Sequence, residues 1–294
     1  MKKSIGGAIP VLLIAVLLMA TIINFDMTGT TKGQQIAVNG MSTSTNQNHP
    51  IVFIFLHDDS VVDDVRRSAL NFLQETKADV VYRPLTTWGE SVDMVQSHWS
   101  QNEWFIQECH KMNIEVIPVI STCILQLKDF NSTFISSAAT RNASDQIITQ
   151  YQGDGIPPYY HGCLNHQVWR EHLFQVAKVA VDLGVDGIEF DEPSDRWWDT
   201  GECYADECIG QFMEYLQTKY MPSELQIKFG INNISAFNYW EYLASKGLLY
   251  VDEQERLRGS DPLGREYYVF ELSTLAINFK ELTSRIKDYA KKAY

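Results

Sequence analysis

Four short apolar runs recur along the chain from about residue 50, and each is typical of a strand buried on both faces. They are IVFIFL (51–56), ADVVYRP (78–84), IEVIPVIS (114–121) and DGIEFD (186–191). Other segments carry apolar residues at helical spacing. They are 61–77, 96–112, 168–184, 206–220, 235–246 and 265–293. The alternation of strands and helices predicts an α/β fold with a parallel sheet and right-handed crossovers.

This rhythm favours the (β/α)8 TIM-barrel type, with an open doubly wound sheet as the alternative. Only the first four strand–helix units of a barrel are recognisable in residues 50–294. Four strands leave an open apolar edge that further strands would have to cover. We therefore expect residues 50–294 to form a partial barrel, the N-terminal part of a longer polypeptide or the product of a gene cut short.

The N-terminus has the pattern of a segment that meets a membrane. Lys2 and Lys3 precede an uncharged run from Ser4 to Phe25, which is 22 residues long and sufficient to cross about 30 Å of hydrocarbon. We predict a transmembrane helix and signal anchor in residues 1–27, with a cleaved signal segment as the alternative. Basic residues at the start keep the N-terminus inside. The domain is then expected to be membrane-anchored and to face outside, or to be secreted after cleavage.

Composition adds two constraints to this picture. Residues 28–49 are rich in Thr, Ser, Gln, Asn and Gly, which predicts a flexible polar linker between membrane and domain. The chain of 294 residues is 45% hydrophobic and carries a formal net charge of −13. Nucleic-acid binding needs clustered Lys and Arg. The composition therefore predicts a globular domain with no nucleic-acid partner.

Three carboxylates crowd the end of the fourth predicted strand, at Glu189, Asp191 and Glu192. Ligands of parallel α/β folds bind at the carboxyl ends of strands, so this position suggests catalysis. Close carboxylates drive their pKa values apart, which supplies the proton donor and the ionised group that glycoside hydrolysis requires. The alternative is an ion pair between one of these acids and an arginine of a neighbouring strand, for instance Arg83, which supports the sheet alone.

Residues at the other strand ends and in the long segment 122–166 are candidates for substrate binding, because βα loops build the binding face of a barrel. Aromatic rings can stack on sugars, and polar side chains can bond their hydroxyl groups. The candidates are His57, Asp58, Arg83, Trp88, Tyr159, Tyr160, His161, Trp197 and Trp198. For each aromatic residue alone, packing at the rim is an equally good interpretation. A structural role is equally good for His57.

Two segments carry a resemblance to a known family. CLNHQVWREHLFQVAKVAVDLGVDGIEFDEP (163–193), followed by CYADECIGQFMEYLQTKY (203–220), resembles the fourth-strand region of barrel glycoside hydrolases of clan A. It is most similar to the family 42 β-galactosidase type and related hydrolase-like barrels. That clan ends strand four with an Asn-Glu pair whose Glu is the acid/base, so the resemblance implies this role for Glu192. Asp191 departs from the pattern, which leaves the linkage open, and the nucleophile is expected on strand seven.

The resemblance also implies a possible metal site. Family 42 enzymes often hold a zinc cluster of cysteines after this strand, and Cys203 and Cys208 stand in the matching place. With Cys163 or Cys123 they would complete a thiolate site. An external protein more often forms a disulfide. We therefore expect no cofactor and favour a disulfide or unpaired thiols over zinc.

The leading interpretation is an extracytoplasmic glycoside hydrolase-like domain that acts on an oligo- or polysaccharide. One alternative is a metal-dependent carbohydrate deacetylase, built on His57, Asp58 and Asp59 with the spaced pair His161 and His166. The other is a non-catalytic polysaccharide-binding domain or a truncated relic. Whether the chain is an enzyme stays open at this point.

Overall fold

The structure is a computed structural model of the chain. It describes residues 21–24, 52–56, 63–150, 158–192, 203–248 and 261–293.

A five-stranded sheet forms the centre of the described part of the chain. Its strands are β1 (Thr21–Asn24), β2 (Phe53–Phe55), β3 (Val80–Thr87), β4 (Glu115–Ser121) and β8 (Gly187–Asp191). The order across the sheet is β1-β8-β4-β3-β2, and all neighbours except β1 and β8 are parallel. The four predicted strands and their parallel pairing are therefore confirmed, in the sequential order that successive units of a barrel have.

The prediction of an N-terminal transmembrane helix is not supported. Of residues 1–27 the structure describes only Thr21–Asn24, and these form a strand that pairs antiparallel with β8. Thr21, Ile22 and Ile23 are β-branched and favour extended backbone. Among the described residues, no helix has the length and apolar character of a membrane span. The other residues of 1–27 and the predicted linker 28–49 lie outside the described ranges.

Nine α-helices occur in the described residues. They are α1 (Asp63–Thr76), α2 (Val92–Ser100), α3 (Glu103–Lys111), α4 (Ser132–Ala138), α5 (Gln167–Asp182), α6 (Asp206–Lys219), α7 (Pro222–Phe229), α8 (Tyr239–Ser245) and α9 (Pro262–Ala293). The single helix predicted for 96–112 is wrong, because α2 ends and α3 begins around Asn102. The Asn102 side chain donates to the carbonyl of His98, and its own carbonyl accepts from the N–H of Phe105, so one residue closes the first helix and opens the second.

The segment 122–166, predicted as a long loop, contains regular structure. It holds a small antiparallel sheet of order β5-β7-β6, made of β5 (Ile124–Gln126), β6 (Thr149–Gln150) and β7 (Tyr159–His161), together with α4. Strands of two or three residues are too short to show a period of two. The segment is therefore folded, although no local pattern predicts it.

The main core lies between one face of the large sheet and the helices. Ile54, Val81, Val116, Ile120 and Phe190 lie on this face and join a single apolar cluster with side chains of α1, α2, α3, α5 and α9. Side chains of the opposite face, such as Phe53, Ile117 and Val119, are not part of this cluster. Within the described residues, the helices of this cluster thus pack on one side of the sheet.

A second core is built mainly by helices. Buried aromatic and aliphatic side chains of α6, α7, α8 and the first part of α9 form it, with Tyr204 from the segment before α6. Tyr204, Tyr239 and Tyr267 stack with their ring planes within 28° of one another. The second part of α9 returns to the main core through Leu282 and Ile286. Helix α9 thus joins both cores.

Candidate active site and metal centre

A bulge in β3 aims Arg83 across the sheet. The register of β3 on β4 shifts between Tyr82 and Thr86, and Arg83 has a φ of 57°. A bulge re-aims a side chain and locally ends strand pairing. The Arg83 side chain consequently extends past β4 and reaches the carboxylates of β8.

Arg83 bonds two of the three predicted catalytic acids. Its Nε donates to Glu189 at 2.7 Å, and a guanidinium nitrogen donates to the second oxygen of the same carboxylate. The same nitrogen lies 3.0 Å from an oxygen of Asp191. The hydrogen bond with Glu189 raises the pKa of Arg83 despite partial burial. The ion pair expected as the alternative role is therefore present, and Glu189, fully buried, is engaged in it.

Thr122 fixes the end of β8. Its hydroxyl donates to the carbonyls of Asp191 at 2.9 Å and Glu192 at 2.6 Å, and its N–H donates to Asp191 at 3.0 Å. The Thr122 carbonyl in turn accepts from the indole N–H of Trp169 at 2.7 Å. Glu192 adopts a φ of 54°, a left-handed conformation that costs energy for a residue with a side chain. The bonds from Thr122 offset this cost and hold Glu192 at the strand end.

Glu192 lies in an environment that favours its protonated form. The Cys123 thiol donates to a Glu192 carboxylate oxygen at 3.1 Å. Partial burial raises the pKa of Glu192, the bond from Cys123 opposes this shift, and the charge of Asp191 adds to it. A carboxyl with a raised pKa is a general acid closer to neutral pH. Of the three acids, Glu192 is the one whose surroundings suit a proton donor.

The predicted substrate-binding aromatics separate into two groups. Trp88 and Tyr159 pack with Cys123 and Ile124 in a small apolar cluster, which places them beside the thiol that contacts Glu192. Tyr160, on the other side of β7, packs against the main core. Trp88 is partly exposed, whereas Tyr159 is buried. Trp88 is thus the described aromatic candidate that combines access to solvent with proximity to the acid.

The remaining candidates are divided between the interior and the undescribed segments. His161 is fully buried, and burial lowers its pKa to about 4. His57, Asp58, Trp197 and Trp198 lie outside the described residues. Sequence reasoning gave Cys123 no part in the acid site, because a lone cysteine after a strand carries no local signal of a hydrogen bond to a carboxylate.

A second group of side chains that can bind a metal is formed by residues before α5 and around the start of α6. Cys163, His166, Cys203 and Cys208 are all buried, and one ligand atom from each lies within 4.8 Å of the others. The Sγ atoms of Cys163 and Cys208 are 3.6 Å apart, and the Nε2 atom of His166 lies 3.5 Å from Cys208 Sγ and 3.9 Å from Cys203 Sγ. The four side chains form a compact cluster of three sulfurs and one nitrogen.

This cluster fits a zinc ion. Zn–S bonds of about 2.3 Å and Zn–N bonds of about 2.0–2.1 Å in a tetrahedron separate two sulfurs by about 3.8 Å, and sulfur from nitrogen by about 3.6 Å. The observed separations of 3.5 to 3.9 Å agree with these values. Three cysteines with one histidine are a common ligand set of structural zinc sites, which leave no open position for substrate. The cluster is therefore a candidate metal centre of the structural kind.

Of the two arrangements favoured over zinc, a disulfide or unpaired thiols, the structure does not contain the disulfide. None of the five cysteines is in a disulfide, and the 3.6 Å between the Sγ atoms of Cys163 and Cys208 is far beyond an S–S bond of about 2.05 Å. His166 lies with the cysteines, and the cluster does not include His161, with which the deacetylase alternative paired it. The signal that sequence reasoning underused is the spacing C-x2-H at 163–166, a ligand spacing that complements C-x4-C at 203–208.

Comparisons with known proteins bear on the fold. No protein-family model and no curated protein matches the chain. Among solved structures, β-galactosidase from the psychrophilic Marinomonas ef1 is similar, with a TM-score of 0.51 and 13% identity over 81% of this chain and 35% of that one. β-Galactosidase from Bacillus circulans sp. alkalophilus has a TM-score of 0.47 and 13% identity over 81% and 34%.

An α-N-acetylgalactosaminidase from Bifidobacterium bifidum is also similar, with a TM-score of 0.38 and 13% identity over 57% of this chain and 34% of that one. The chain spans about a third of the length of the solved structures it matches. At such identities the likeness concerns the fold alone. The chain has a glycoside hydrolase-like α/β fold.

Proposed function

We propose that this chain supplies the acid/base side of a glycoside hydrolase active site, with Glu192 as the proton donor to the leaving-group oxygen. The carrying observation is the position of Glu192, at the carboxyl end of a parallel strand with a raised pKa and a fixed left-handed backbone. Ligands of parallel α/β folds bind at this end of the sheet. The substrate is an oligo- or polysaccharide.

Asp191 and Arg83 have supporting roles in this proposal. Arg83 places a positive charge between Glu189 and Asp191, so these two acids do not both act as free carboxylates. Asp191 also raises the pKa of Glu192 through its charge. Glycoside hydrolysis needs a second carboxylate, about 5–10 Å from the acid. We place it on a strand outside the four parallel strands described above, in a complete (β/α)8 barrel.

The test is hydrolysis by the full-length gene product. The protein is incubated with a panel of oligosaccharides and with aryl glycosides whose leaving groups need no proton. Removal of a general acid costs about 10²–10⁴ in rate. We expect Glu192→Gln to lose this factor on oligosaccharides and to retain most activity on the activated aryl glycosides. Glu214→Gln, an exposed glutamate of α6, is the matched control and should leave both rates unchanged.

Two results would contradict the proposal. One is the absence of cleavage by the wild-type protein across the panel, in which case sugar binding without cleavage would favour a non-catalytic domain. The other is an equal loss on both substrate classes in Glu192→Gln, since a proton donor is dispensable only where the leaving group is good. A folded variant is confirmed by its unchanged circular dichroism spectrum.

An outward-facing location is a separate part of the proposal. It is supported by Lys2 and Lys3 followed by the uncharged residues 4–20, which precede strand β1. Fractionation of the native host, with protease added to intact cells, tests it. Digestion of the domain in intact cells supports an external location, and protection until lysis contradicts it.

A further inference from the structure

We propose that Cys123 is a positioning residue for Glu192, and that its thiol holds the Oε2 atom of the Glu192 carboxyl so that Oε1 carries the proton to the leaving group. The proposal rests on the function proposed above for Glu192, and adds which residue orients the acid and which oxygen acts. Two consecutive residues after β4 carry it: Thr122 bonds the backbone of Glu192, and Cys123 bonds its carboxyl.

The two oxygens of the Glu192 carboxyl differ in their surroundings. The Sγ atom of Cys123 lies 3.1 Å from Oε2 and donates its proton to this oxygen. Within the residues that the structure describes, no hydrogen-bond donor contacts Oε1. A general acid must place its proton within hydrogen-bond reach of the leaving group. Oε1 is therefore the oxygen that carries it, while Oε2 fixes the direction of the carboxyl.

Cys123 is itself held in place by its neighbours. Its carbonyl accepts the N–H of Gly162 at 2.7 Å, which ties it to the residue after β7. Its side chain packs with Ile124 and Tyr159 in the small apolar cluster beside Trp88, and only 1% of Cys123 is exposed. Cys123 is not part of the group of metal-binding side chains described above. The thiol consequently has a fixed direction towards Glu192.

Cys123 stays a hydrogen-bond donor because its thiol keeps its proton. Burial raises the pKa of Cys123 well above its ordinary value, and the charge of Glu192 adds to this shift, although the side chain of Ser121 opposes it. A thiolate would have no proton to donate and would repel the carboxylate. The buried thiol therefore donates throughout the pH range in which a carboxyl titrates.

A thiol suits this position because it is a weak donor. A hydrogen bond to an ionised carboxylate favours the ionised form and lowers the pKa of the acid, and a stronger donor such as a hydroxyl lowers it further. A general acid needs a carboxyl that is still protonated close to neutral pH. Cys123 thus orients Glu192 and opposes only part of the rise in its pKa that burial causes.

Two charged groups also act on Glu192. From β8, Asp191 raises the pKa of Glu192 through its charge, and from β3, Arg83 lowers it. A guanidinium nitrogen of Arg83 lies 3.0 Å from a carboxylate oxygen of Asp191, so the two charges partly cancel at Glu192. Substitution of Cys123 leaves both groups in place. A change in the titration of Glu192 in such a variant therefore measures the loss of the thiol bond.

The first measurement is the titration of Glu192 in the full chain, followed by the carboxyl ¹³C signal of labelled glutamate and assigned by its loss in Glu192→Gln. We expect Cys123→Ala to raise the pKa of Glu192, because the bond that favours the ionised form is lost, and Cys123→Ser to lower it. Cys109→Ala, which removes a buried thiol of the main core, should leave it unchanged. The same pKa in wild type and Cys123→Ala, or in Cys123→Ala and Cys123→Ser, would overturn the proposal.

The second measurement is the pH dependence of hydrolysis. On oligosaccharides kcat/KM falls above the pKa of the general acid, so this alkaline limb should move to higher pH in Cys123→Ala and to lower pH in Cys123→Ser. A misplaced catalytic group is costly, and we expect kcat of Cys123→Ala to fall about 10-fold or more on oligosaccharides and little on activated aryl glycosides. Cys109→Ala should match the wild type. A lower kcat with an unmoved alkaline limb would indicate a structural role alone and contradict the positioning of Glu192.

The two measurements distinguish a failure of this role from a failure of the proposed function. If the wild-type protein cleaves no substrate, the function fails and with it the catalytic use of Oε1, while the titration still decides whether Cys123 holds the carboxyl. If hydrolysis depends on Glu192 but neither the titration nor the alkaline limb responds to Cys123→Ala, the function stands and the positioning role fails.

A measurement on the wild-type protein covers the case in which Cys123→Ala does not fold. A thiol donates more strongly to a carboxylate than to a carboxylic acid, so one S–H stretching band in the infrared spectrum should shift as Glu192 ionises. The shift should be absent in Glu192→Gln. A spectrum with no such shift, or a shift that persists in Glu192→Gln, would contradict the bond between the thiol and the acid.

Discussion

Arg83 shows how a single residue organises the strand ends. Its left-handed backbone forms part of the bulge in β3, and its side chain bonds Glu189 and Asp191 two strands away. The guanidinium also lies over the rings of Phe55 and Tyr82, at 5.5 and 5.6 Å from their centroids. Bidentate geometry and ring contacts suit arginine and not lysine. The arrangement makes Arg83 a structural requirement of the candidate site.

Arg83→Met should destabilise the protein by about 3 kcal/mol or more. The change leaves the Glu189 carboxylate buried without its partner, and such losses cost about 3–5 kcal/mol. Urea unfolding measures the free energy. Lys111→Met is the control, because it breaks a pair with Glu108 on the surface of α3 that is worth about 0–1 kcal/mol. Equal effects of the two substitutions would show that the buried pair contributes no more than a surface pair.

His172 is a second residue whose surroundings decide its chemistry. Its ring stacks on Trp169 at a centroid distance of 4.9 Å and forms T-shaped contacts with the rings of Phe130 and Phe134. Burial lowers the pKa of His172 from 6.5 to about 4, although a backbone hydrogen bond with Glu90 opposes the shift. The folded protein therefore holds His172 neutral at pH values where an unfolded chain would protonate it.

This shift predicts a loss of stability in acid. Between pH 6.5 and 4 the unfolded chain binds a proton at His172 that the folded protein does not bind, so the free energy of unfolding falls as the pH falls. A shift from 6.5 to about 4 corresponds to about 3 kcal/mol. His172→Phe removes this contribution. We expect the stability of the variant to depend less steeply on pH from 6.5 to 4, measured by urea unfolding, and parallel profiles would contradict the assignment.

At the scale of elements, the turn from β7 into α5 is set by close packing. Gly162 links β7 to Cys163, and its N–H donates to the carbonyl of Cys123 at 2.7 Å. A Cβ atom at this position would lie 2.1 Å from the indole of Trp169. Glycine is required here because the backbone runs against a ring, and this close packing places Cys163 beside His166, Cys203 and Cys208.

Gly162→Ala should therefore destabilise the protein by about 1–3 kcal/mol, the usual cost of forcing atoms into a packed core. Gly210→Ala is the matched control. A Cβ atom at Gly210 meets no atom within 4 Å, and alanine stabilises a helix interior by about 1 kcal/mol over glycine. Thermal unfolding of both variants measures these changes, which should lower the stability of Gly162→Ala and raise that of Gly210→Ala. Unchanged stability in Gly162→Ala would contradict the packing argument.

At the scale of the whole molecule, helices cover one face of the large sheet, and in the described residues the sheet ends at two edge strands, β1 and β2. The helices of the main core cover the face that holds Val116 and Ile120. Strand β2 pairs with β3 on one side, and in the described part of the chain no strand pairs with its other side. Phe53 and Phe55 on this edge strand are 48% and 54% exposed. Unpaired apolar edge strands are templates for pairing with another chain.

Phe53→Lys should reduce self-association of the protein, because a lysine on an edge strand blocks pairing. Stability should change little, since substitutions of exposed residues usually fall within about 0.5 kcal/mol. Phe72→Lys is the control, because Phe72 is equally exposed, at 48%, but lies on helix α1. Sedimentation velocity over a range of concentrations measures association. Equal effects of both substitutions would show that general surface hydrophobicity, and not the strand edge, drives association.

The strands and helices of the sheet layer were predictable because their signals are local. Apolar runs of six to eight residues and helical spacing place β3, β4, β8, α1 and α5 to within a few residues. The break at Asn102 and the small sheet of 124–161 were not predictable. The first depends on a side chain that closes one helix and opens the next, and the second is made of strands too short to carry a period.

The sequence by itself determined the parallel α/β rhythm, the accumulation of acids at the end of β8 and the presence of ligand-type residues, because each follows from neighbours along the chain. Only the tertiary structure decided which acid Arg83 engages, 106 residues away at Glu189, and which cysteines meet His166. The first outcome depends on the bulge in β3. The second depends on the packing of Trp169 against Gly162 and on the hydrogen bonds that Tyr267 and Glu271 of α9 make with the backbone of Cys203. Such contacts join residues that no local pattern connects.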